Sequence, residues 1–113
     1  MIQLEKELQN HFSLLSAQPQ EQVFELNLPK NLTYFQGHFP GFPVLPAVAF
    51  VDISAFLIFT VTQKKPESLK KIKYLKMKKP LASMVKIQVQ LIHRNENHIE
   101  VNWQDFASLS IEY

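Results

Sequence analysis

Apolar and polar residues alternate with a period of two in five segments of the chain. In residues 21–29, three apolar residues alternate with polar ones and a proline follows, which predicts a half-buried strand. The alternation returns later in four segments joined by short connections: residues 69–79, 84–93, 98–104 and 106–113. In the first of these four the pattern slips at Tyr74–Leu75, which indicates an irregular strand.

Residues 46–62 lack this alternation and are apolar on nearly every side. They contain no helix breaker after Pro46, and proline is favoured in the first turn of a helix, so they predict one long helix. Apolar residues at helical spacing in residues 3–12 predict a short N-terminal helix.

The predicted order is a strand, a long helix and then three or four antiparallel strands. Such a sheet would wrap around the helix, which is an α+β arrangement in a single domain over residues 1–113. A helix that is apolar on every side needs more cover than one small sheet supplies. We therefore expect a homodimer or a higher even oligomer.

Composition excludes several classes of function. The chain has no cysteine, so it has no disulfide, thiolate metal site or cysteine nucleophile, which fits a cytoplasmic location. Residues 42–61 are apolar enough to suggest a membrane span. However, Asp52 would then lie near the bilayer centre at a cost on the order of 3 kcal/mol, which favours a buried helix.

Positive charge is concentrated in residues 64–79, which contain eight lysines and one glutamate in a chain of net charge +2. One interpretation is a solvated edge strand, because lysines there discourage aggregation. The other is a landing surface for an acidic partner. Nucleic acid is not favoured, because the segment has no arginine and a single aromatic residue. On charge alone the edge strand is the better interpretation.

Both glycines of the chain lie in the segment GHFPGFPVLPAVAFVD, residues 37–52, on either side of His38. The segment also holds three of the seven prolines, which predicts a rigid loop that ends at a helix N-terminus. Such a loop can supply a base in His38, backbone N–H groups for a developing oxyanion, and an acid in Asp52. Burial in an apolar helix would favour the neutral acid form of Asp52.

Structural roles are the alternatives for these side chains. His38 could satisfy backbone groups of its own loop, and Asp52 could be held by hydroxyl groups such as those of Ser54 or Thr33. Two further histidines, His93 and His98, flank a predicted hairpin turn without carboxylates at metal-binding spacing, so we expect them at the surface.

The segment FQGHFPGFPVLPAVAFVDIS resembles the active-site segment of the 3-hydroxyacyl-[acyl carrier protein] dehydratases, which have the hot-dog fold. In that family a G-H-F-P motif precedes a G-x-P-x-x-P turn and a helix with an acidic residue fourteen positions after the histidine. Here Asp52 follows His38 by fourteen positions. The segment YLKMKKPLASMVKIQVQL resembles the strand region after the helix. In its short chain and its aspartate, the protein resembles the compact dehydratases of aryl-polyene and related lipid clusters more than the long housekeeping enzymes.

The resemblance implies dehydration of 3-hydroxyacyl thioesters on acyl carrier protein to trans-2-enoyl thioesters, in fatty-acid or polyene-type lipid biosynthesis, without a cofactor or metal. His38 would be the base and Asp52 the acid, each from a different subunit of a dimer. Substrate binding and oxyanion stabilisation would involve residues around the helix N-terminus: Gly37, Phe39, Pro46, Ala47 and Val48. With an acidic carrier as partner, Lys70, Lys71 and Lys73 become candidates for its binding surface.

Two positions depart from the family pattern. Ala47 stands where the family usually has glycine, and Phe56 stands where the housekeeping branch often has glutamine. A non-catalytic acyl-binding or scaffold subunit is therefore one alternative function, because the Ala47 methyl group could crowd the thioester. An acyl-CoA thioesterase is another alternative, against which the G-H-F-P histidine argues.

Overall fold

The computed structural model describes residues 2–36 and 44–113, with only the backbone of Ile2. These residues form two α-helices and six β-strands: α1 (Ile2–Leu8), β1 (Phe12–Gln18), β2 (Glu21–Asn27), α2 (Ala47–Thr62), β3 (Lys71–Met77), β4 (Lys86–Asn95), β5 (His98–Trp103) and β6 (Ala107–Glu112). Two short 3-10 helices, Thr33–Phe35 and Pro66–Ser68, precede and follow α2.

The strands form one antiparallel sheet in the order β1-β2-β4-β5-β6-β3, and α2 packs against one face of it. Alternate residues of the central strands point at the helix, as the period of two predicted. The rings of Phe50 on α2 and Trp103 on β5 meet edge to face, with their centroids 4.8 Å apart. The predicted sheet around one long helix is confirmed.

Helix α2 begins and ends close to its predicted bounds. Pro46 is the N-cap residue, with an extended backbone at ψ 163°. At the other end Gln63 adopts a left-handed conformation with φ 64°, and its N–H donates to the Phe59 carbonyl oxygen at 2.9 Å. The run of apolar residues without a breaker was therefore a reliable indicator of the helix.

The N-terminal prediction was wrong in its extent. Helix α1 ends at Leu8, and the chain then turns into β1, a strand that the sequence pattern did not indicate. As an edge strand, β1 is exposed over most of its length and has no buried face to impose alternation. A shift of register between Leu14 and Ser16 interrupts its pairing further.

Strand β3 lies at the opposite edge of the sheet, so the edge-strand interpretation of the lysine-rich segment is confirmed. Its irregularity lies between Ile72 and Tyr74, slightly before the predicted position.

The two histidines expected at the surface are only partly exposed, and both are hydrogen-bonded. His93 Nε2 lies 2.5 Å from Gln22 Oε1, and His98 Nε2 lies 2.6 Å from Ser110 Oγ. These contacts fix the two side chains against the sheet.

Candidate active site

Asp52 lies in the second turn of α2 and lines an open cavity of about 720 Å³. The cavity is bounded by α1, the turn at residues 33–35, α2 and the segment that leads to β3; its other lining residues are Gln3, Leu4, Tyr34, Val51, Ala55, Pro66, Glu67 and Leu69. Asp52 is half-buried within the chain, whereas the apolar pattern of the helix predicted a buried position. The sheet covers the opposite side of the helix and leaves this side open.

The hydroxyl group of Tyr34 donates a hydrogen bond to Asp52 Oδ2. Neither hydroxyl group that the sequence suggested for this role contacts the carboxylate. Ser54 Oγ accepts a hydrogen bond from Trp103 Nε1 at 2.9 Å in the core, and Thr33 Oγ1 donates to Glu7 Oε2 at 2.8 Å. Tyr34 was not singled out by the sequence; its place just before the glycine- and proline-rich loop was the available signal.

Helix α1 holds the turn that carries Tyr34. Glu7 accepts hydrogen bonds from both the backbone N–H and the side-chain hydroxyl of Thr33, and from Gln3 Nε2 at 2.8 Å. Partial burial acts to raise the pKa of the Glu7 carboxyl, but these hydrogen bonds outweigh it and lower the pKa below its usual value. The Glu7 carboxylate is thus a fixed acceptor that ties the turn to α1.

The electrostatic surroundings keep the Tyr34 phenol protonated. Partial burial, the hydrogen bond to Asp52 and the negative charges of Asp52 and Glu7 raise the pKa of the phenol well above its usual value. The phenol therefore remains a hydrogen-bond donor to Asp52 throughout the neutral pH range.

The N-terminus of α2 lies on the same side as Asp52. Val48 precedes Asp52 by four residues, which places the two side chains on one helix face, and Val48 is 57% exposed. The Ala49 N–H donates to the Pro46 carbonyl oxygen at 3.0 Å. The N–H groups of the preceding Ala47 and Val48 have no acceptor within the helix, as at any helix start.

The described residues include only part of the predicted site. They bring together Asp52 and the α2 N-terminus with Pro46, Ala47 and Val48. The other predicted residues lie outside the described ranges: Gly37, His38 and Phe39.

Phe56 belongs to the core. It lies one turn after Asp52, is 3% exposed, and meets the ring of Phe12 edge to face at a centroid distance of 5.3 Å. This position therefore supplies packing between α2 and β1 and no hydrogen bond to the carboxylate.

The three lysines predicted to bind a carrier, Lys70, Lys71 and Lys73, are exposed at the β3 edge. Lys73 Nζ lies 3.5 Å from Glu112 Oε2, so part of its charge is matched within the sheet. Within residues 2–36 and 44–113, no group of three histidine or carboxylate side chains is arranged to hold a metal ion. No helix in the same ranges is long and apolar enough to cross a membrane.

Comparisons with known proteins agree with this geometry. The 3-hydroxyacyl-[acyl-carrier-protein] dehydratase FabZ of Polynucleobacter necessarius subsp. necessarius is 42% identical over 43 residues, 37% of this chain and 29% of that protein. FabZ of Lactiplantibacillus plantarum is 29% identical over 91 residues, 73% of this chain and 61% of that protein. The chain thus spans less than two thirds of these curated relatives.

A solved structure, the dehydratase heterocomplex ApeI:P from Xenorhabdus doucetiae, matches with a TM-score of 0.69 at 22% identity, covering 88% of this chain and 95% of that chain. This likeness confirms the hot-dog fold. The family model described as ApeI dehydratase matches residues 15–109, which is most of the chain. The protein is therefore a member of the ApeI-like dehydratase family.

Proposed function

We propose that this protein dehydrates 3-hydroxyacyl thioesters to trans-2-enoyl thioesters. The observation that carries the proposal is that Asp52 lines an open cavity of about 720 Å³. The chain that contains this cavity belongs to the ApeI-like dehydratase family. An acid that donates a proton to substrate must be reachable from solvent and still be held in place. Asp52 meets both requirements, since it lines the open cavity and accepts a hydrogen bond from Tyr34.

In the proposed reaction His38 removes a proton from C2 of the substrate. The electron pair of the broken C–H bond forms the C2–C3 double bond, and the C3–O bond breaks as Asp52 protonates the leaving hydroxyl group. Water departs, His38 has gained one proton and Asp52 has lost one. A proton must therefore leave His38 and another must return to Asp52 before the next turnover.

The α2 N-terminus would stabilise the negative charge that develops on the thioester oxygen as C2 loses its proton. The N–H groups of Ala47 and Val48, and the positive end of the helix dipole, favour an anion at this position. Both residues are exposed, which supports this role because a ligand can approach this end of the helix.

Two copies of the chain would build the complete site, with His38 of one subunit facing Asp52 of the other. Exposed apolar side chains on α2 and β3 support this arrangement. They include Val48 on α2, at 57% exposure, and Ile72 and Met77 on β3, at 39% and 44%. Ile72 pairs with Ile111 and Met77 pairs with Ala107, which belong to the core around α2, so both lie on the helix side of the sheet.

Mixing two inactive variants tests the crossed site. His38→Ala and Asp52→Asn chains are refolded together, and subunit exchange is confirmed separately. Random mixing makes about half of the dimers mixed, and each mixed dimer has one intact site, so activity should return to roughly a quarter of wild type. No recovery would place both residues of a working site in one chain.

The proposed carrier is acyl carrier protein, which would dock on Lys70, Lys71 and Lys73. Their exposure at the β3 edge supports an electrostatic contact with an acidic partner. Reversing the three charges should raise KM for carrier-linked substrate, mostly at low ionic strength, and should affect a CoA-linked substrate much less. Equal effects on both substrates would contradict the proposal that these lysines bind acyl carrier protein.

The decisive experiment is incubation with 3-hydroxyacyl substrates of several chain lengths, linked to carrier or to CoA, with detection of the enoyl product. His38→Ala and Asp52→Asn should abolish the product. Asp105→Asn is the matched control, because this carboxyl group is exposed, pairs with Lys79 at 2.8 Å and lies outside the cavity. Release of free thiol in place of enoyl product would indicate a thioesterase.

A non-catalytic acyl-binding or scaffold subunit is the second candidate, and Ala47 is the residue that favours it. Binding of acyl thioesters without enoyl formation by wild type would establish this function. A large gain of activity in Ala47→Gly would show that the methyl group impairs catalysis, whereas no change would show that the site accommodates it.

A further inference from the structure

Tyr34 contacts the proposed acid directly. Its hydroxyl group donates to Oδ2 of Asp52, and the two side chains line the same cavity from different elements. Tyr34 is half-buried, so its ring is fixed by packing while its hydroxyl group reaches the cavity. The contact joins the turn before the glycine- and proline-rich loop to the helix that carries the acid.

The direction of this hydrogen bond determines which oxygen of Asp52 can carry a proton. In a neutral carboxyl group the carbonyl oxygen is the good acceptor, and the hydroxyl oxygen holds the proton. While the phenol donates to Oδ2, the protonated form of Asp52 therefore carries its proton on Oδ1. Oδ1 is then the atom from which a proton can pass to a leaving group.

Two features make this arrangement durable. The Tyr34 phenol stays protonated even when Asp52 is neutral, because partial burial raises its pKa and the negative charge of Glu7 acts in the same direction. The turn that carries it is held by Glu7, which accepts two hydrogen bonds from Thr33. The donor is thus fixed in both its protonation and its position.

We propose that Tyr34 is a positioning residue that engages Oδ2 of Asp52, so that Oδ1 delivers the proton to the departing 3-hydroxyl group. This inference rests on the proposed dehydratase function. It adds a residue that the dehydratase motif does not contain, and it assigns separate tasks to the two carboxyl oxygens.

The kinetic test uses Tyr34→Phe, which keeps the ring and removes the hydroxyl group. We expect kcat to fall about tenfold with KM nearly unchanged, because the variant still binds substrate but presents its acid less well. Tyr113→Phe is the matched control: the Tyr113 hydroxyl group is buried and has no hydrogen-bond partner among the described residues. An unchanged kcat in Tyr34→Phe would overturn the proposal.

A spectroscopic test needs no catalysis. The chain contains two aspartates, Asp52 and Asp105, so selective carboxyl ¹³C labelling gives two signals, which Asp52→Asn assigns. At a fixed pH, Tyr34→Phe should move the Asp52 resonance and leave that of Asp105 in place, whereas Tyr113→Phe should move neither. An unmoved Asp52 resonance would show that the phenol does not engage the carboxyl group in solution, and would overturn the proposal.

The two tests separate failure of the inference from failure of the proposed function. If wild type forms enoyl product and Tyr34→Phe forms it at the same rate, the inference fails and the dehydratase stands. If wild type forms no enoyl product from any substrate, the dehydratase proposal fails in the wild-type assay, and the role of Tyr34 in proton delivery fails with it.

Discussion

Two side chains of helix α2 accept hydrogen bonds from aromatic residues, and they lie only two residues apart but on opposite sides of the helix. Ser54 accepts a hydrogen bond from the indole N–H of Trp103 in the fully buried core, whereas Asp52 accepts one from the phenol of Tyr34 at an open cavity. Both contacts join an aromatic donor to a helix acceptor. Only the second leaves an acidic group accessible to a ligand, so we expect the first to determine stability and the second to determine activity.

Replacing the cavity-side acceptor should have the largest effect. Asp52→Asn removes the proposed proton donor but keeps an oxygen that can accept from Tyr34, so activity should fall about 10²- to 10⁴-fold while Tm changes little. Steady-state enoyl formation and thermal unfolding measure the two effects. A large decrease in Tm would contradict this separation of roles, because it would show that Asp52 determines stability.

Removing the Trp103 donor on the sheet side of α2 should reduce stability and leave activity nearly unchanged. Trp103→Phe leaves Ser54 Oγ buried without its donor and opens a void beside Phe50, so the free energy of unfolding should fall by about 2 to 4 kcal/mol. The kcat of the remaining folded protein should stay close to wild type. Denaturant titration and active-site-normalised kinetics provide the check, and a selective loss of kcat would contradict the separation of the two sides.

Activity at the cavity that contains Asp52 should also depend on α1, through Glu7. In Glu7→Gln the side-chain nitrogen replaces the oxygen that accepts from the Thr33 hydroxyl group, which loosens the turn that carries Tyr34. We expect kcat to fall about threefold, and this effect should disappear when Tyr34 is already phenylalanine. Additive losses in the double variant would mean that Glu7 acts by a route other than the phenol.

The sheet and the side of α2 that packs against it were largely predictable from sequence. The period of two in β4, β5 and β6 placed their apolar residues against α2, and the run of apolar residues after Pro46 fixed the helix within one residue. Strand β1 could not be predicted in the same way. An edge strand with little buried surface leaves no alternation in the sequence.

The cavity side was predictable only in part. Asp52 was identifiable because it is the single ionisable residue in an apolar helix, but its half-buried position depends on which helix face the sheet leaves open. The partner of Asp52 could not be predicted, because Tyr34 lies 18 residues earlier across a loop without periodic pattern. Side-chain pairing across such a loop depends on tertiary packing.

We expect the smallest effect from His93, which influences how the stability of the fold depends on pH. It lies on β4, bonded to Gln22, and burial together with the positive charge of Lys64 lowers its pKa. A histidine with a lowered pKa in the folded chain contributes stability above the unfolded value of about 6.5. That contribution is lost as the pH falls through this value towards the folded pKa, because the unfolded chain then binds the proton more readily.

Tm should therefore decrease as the pH is lowered below about 6.5, and His93→Gln should reduce this dependence. Gln keeps a donor for Gln22 but does not titrate, which isolates the protonation effect from the loss of a contact. At pH 7.5 the two proteins should have similar Tm values and equal kcat, since His93 lies outside the cavity that contains Asp52. If His93→Gln retains the full decrease of Tm at low pH, other groups must bind the protons that destabilise the fold.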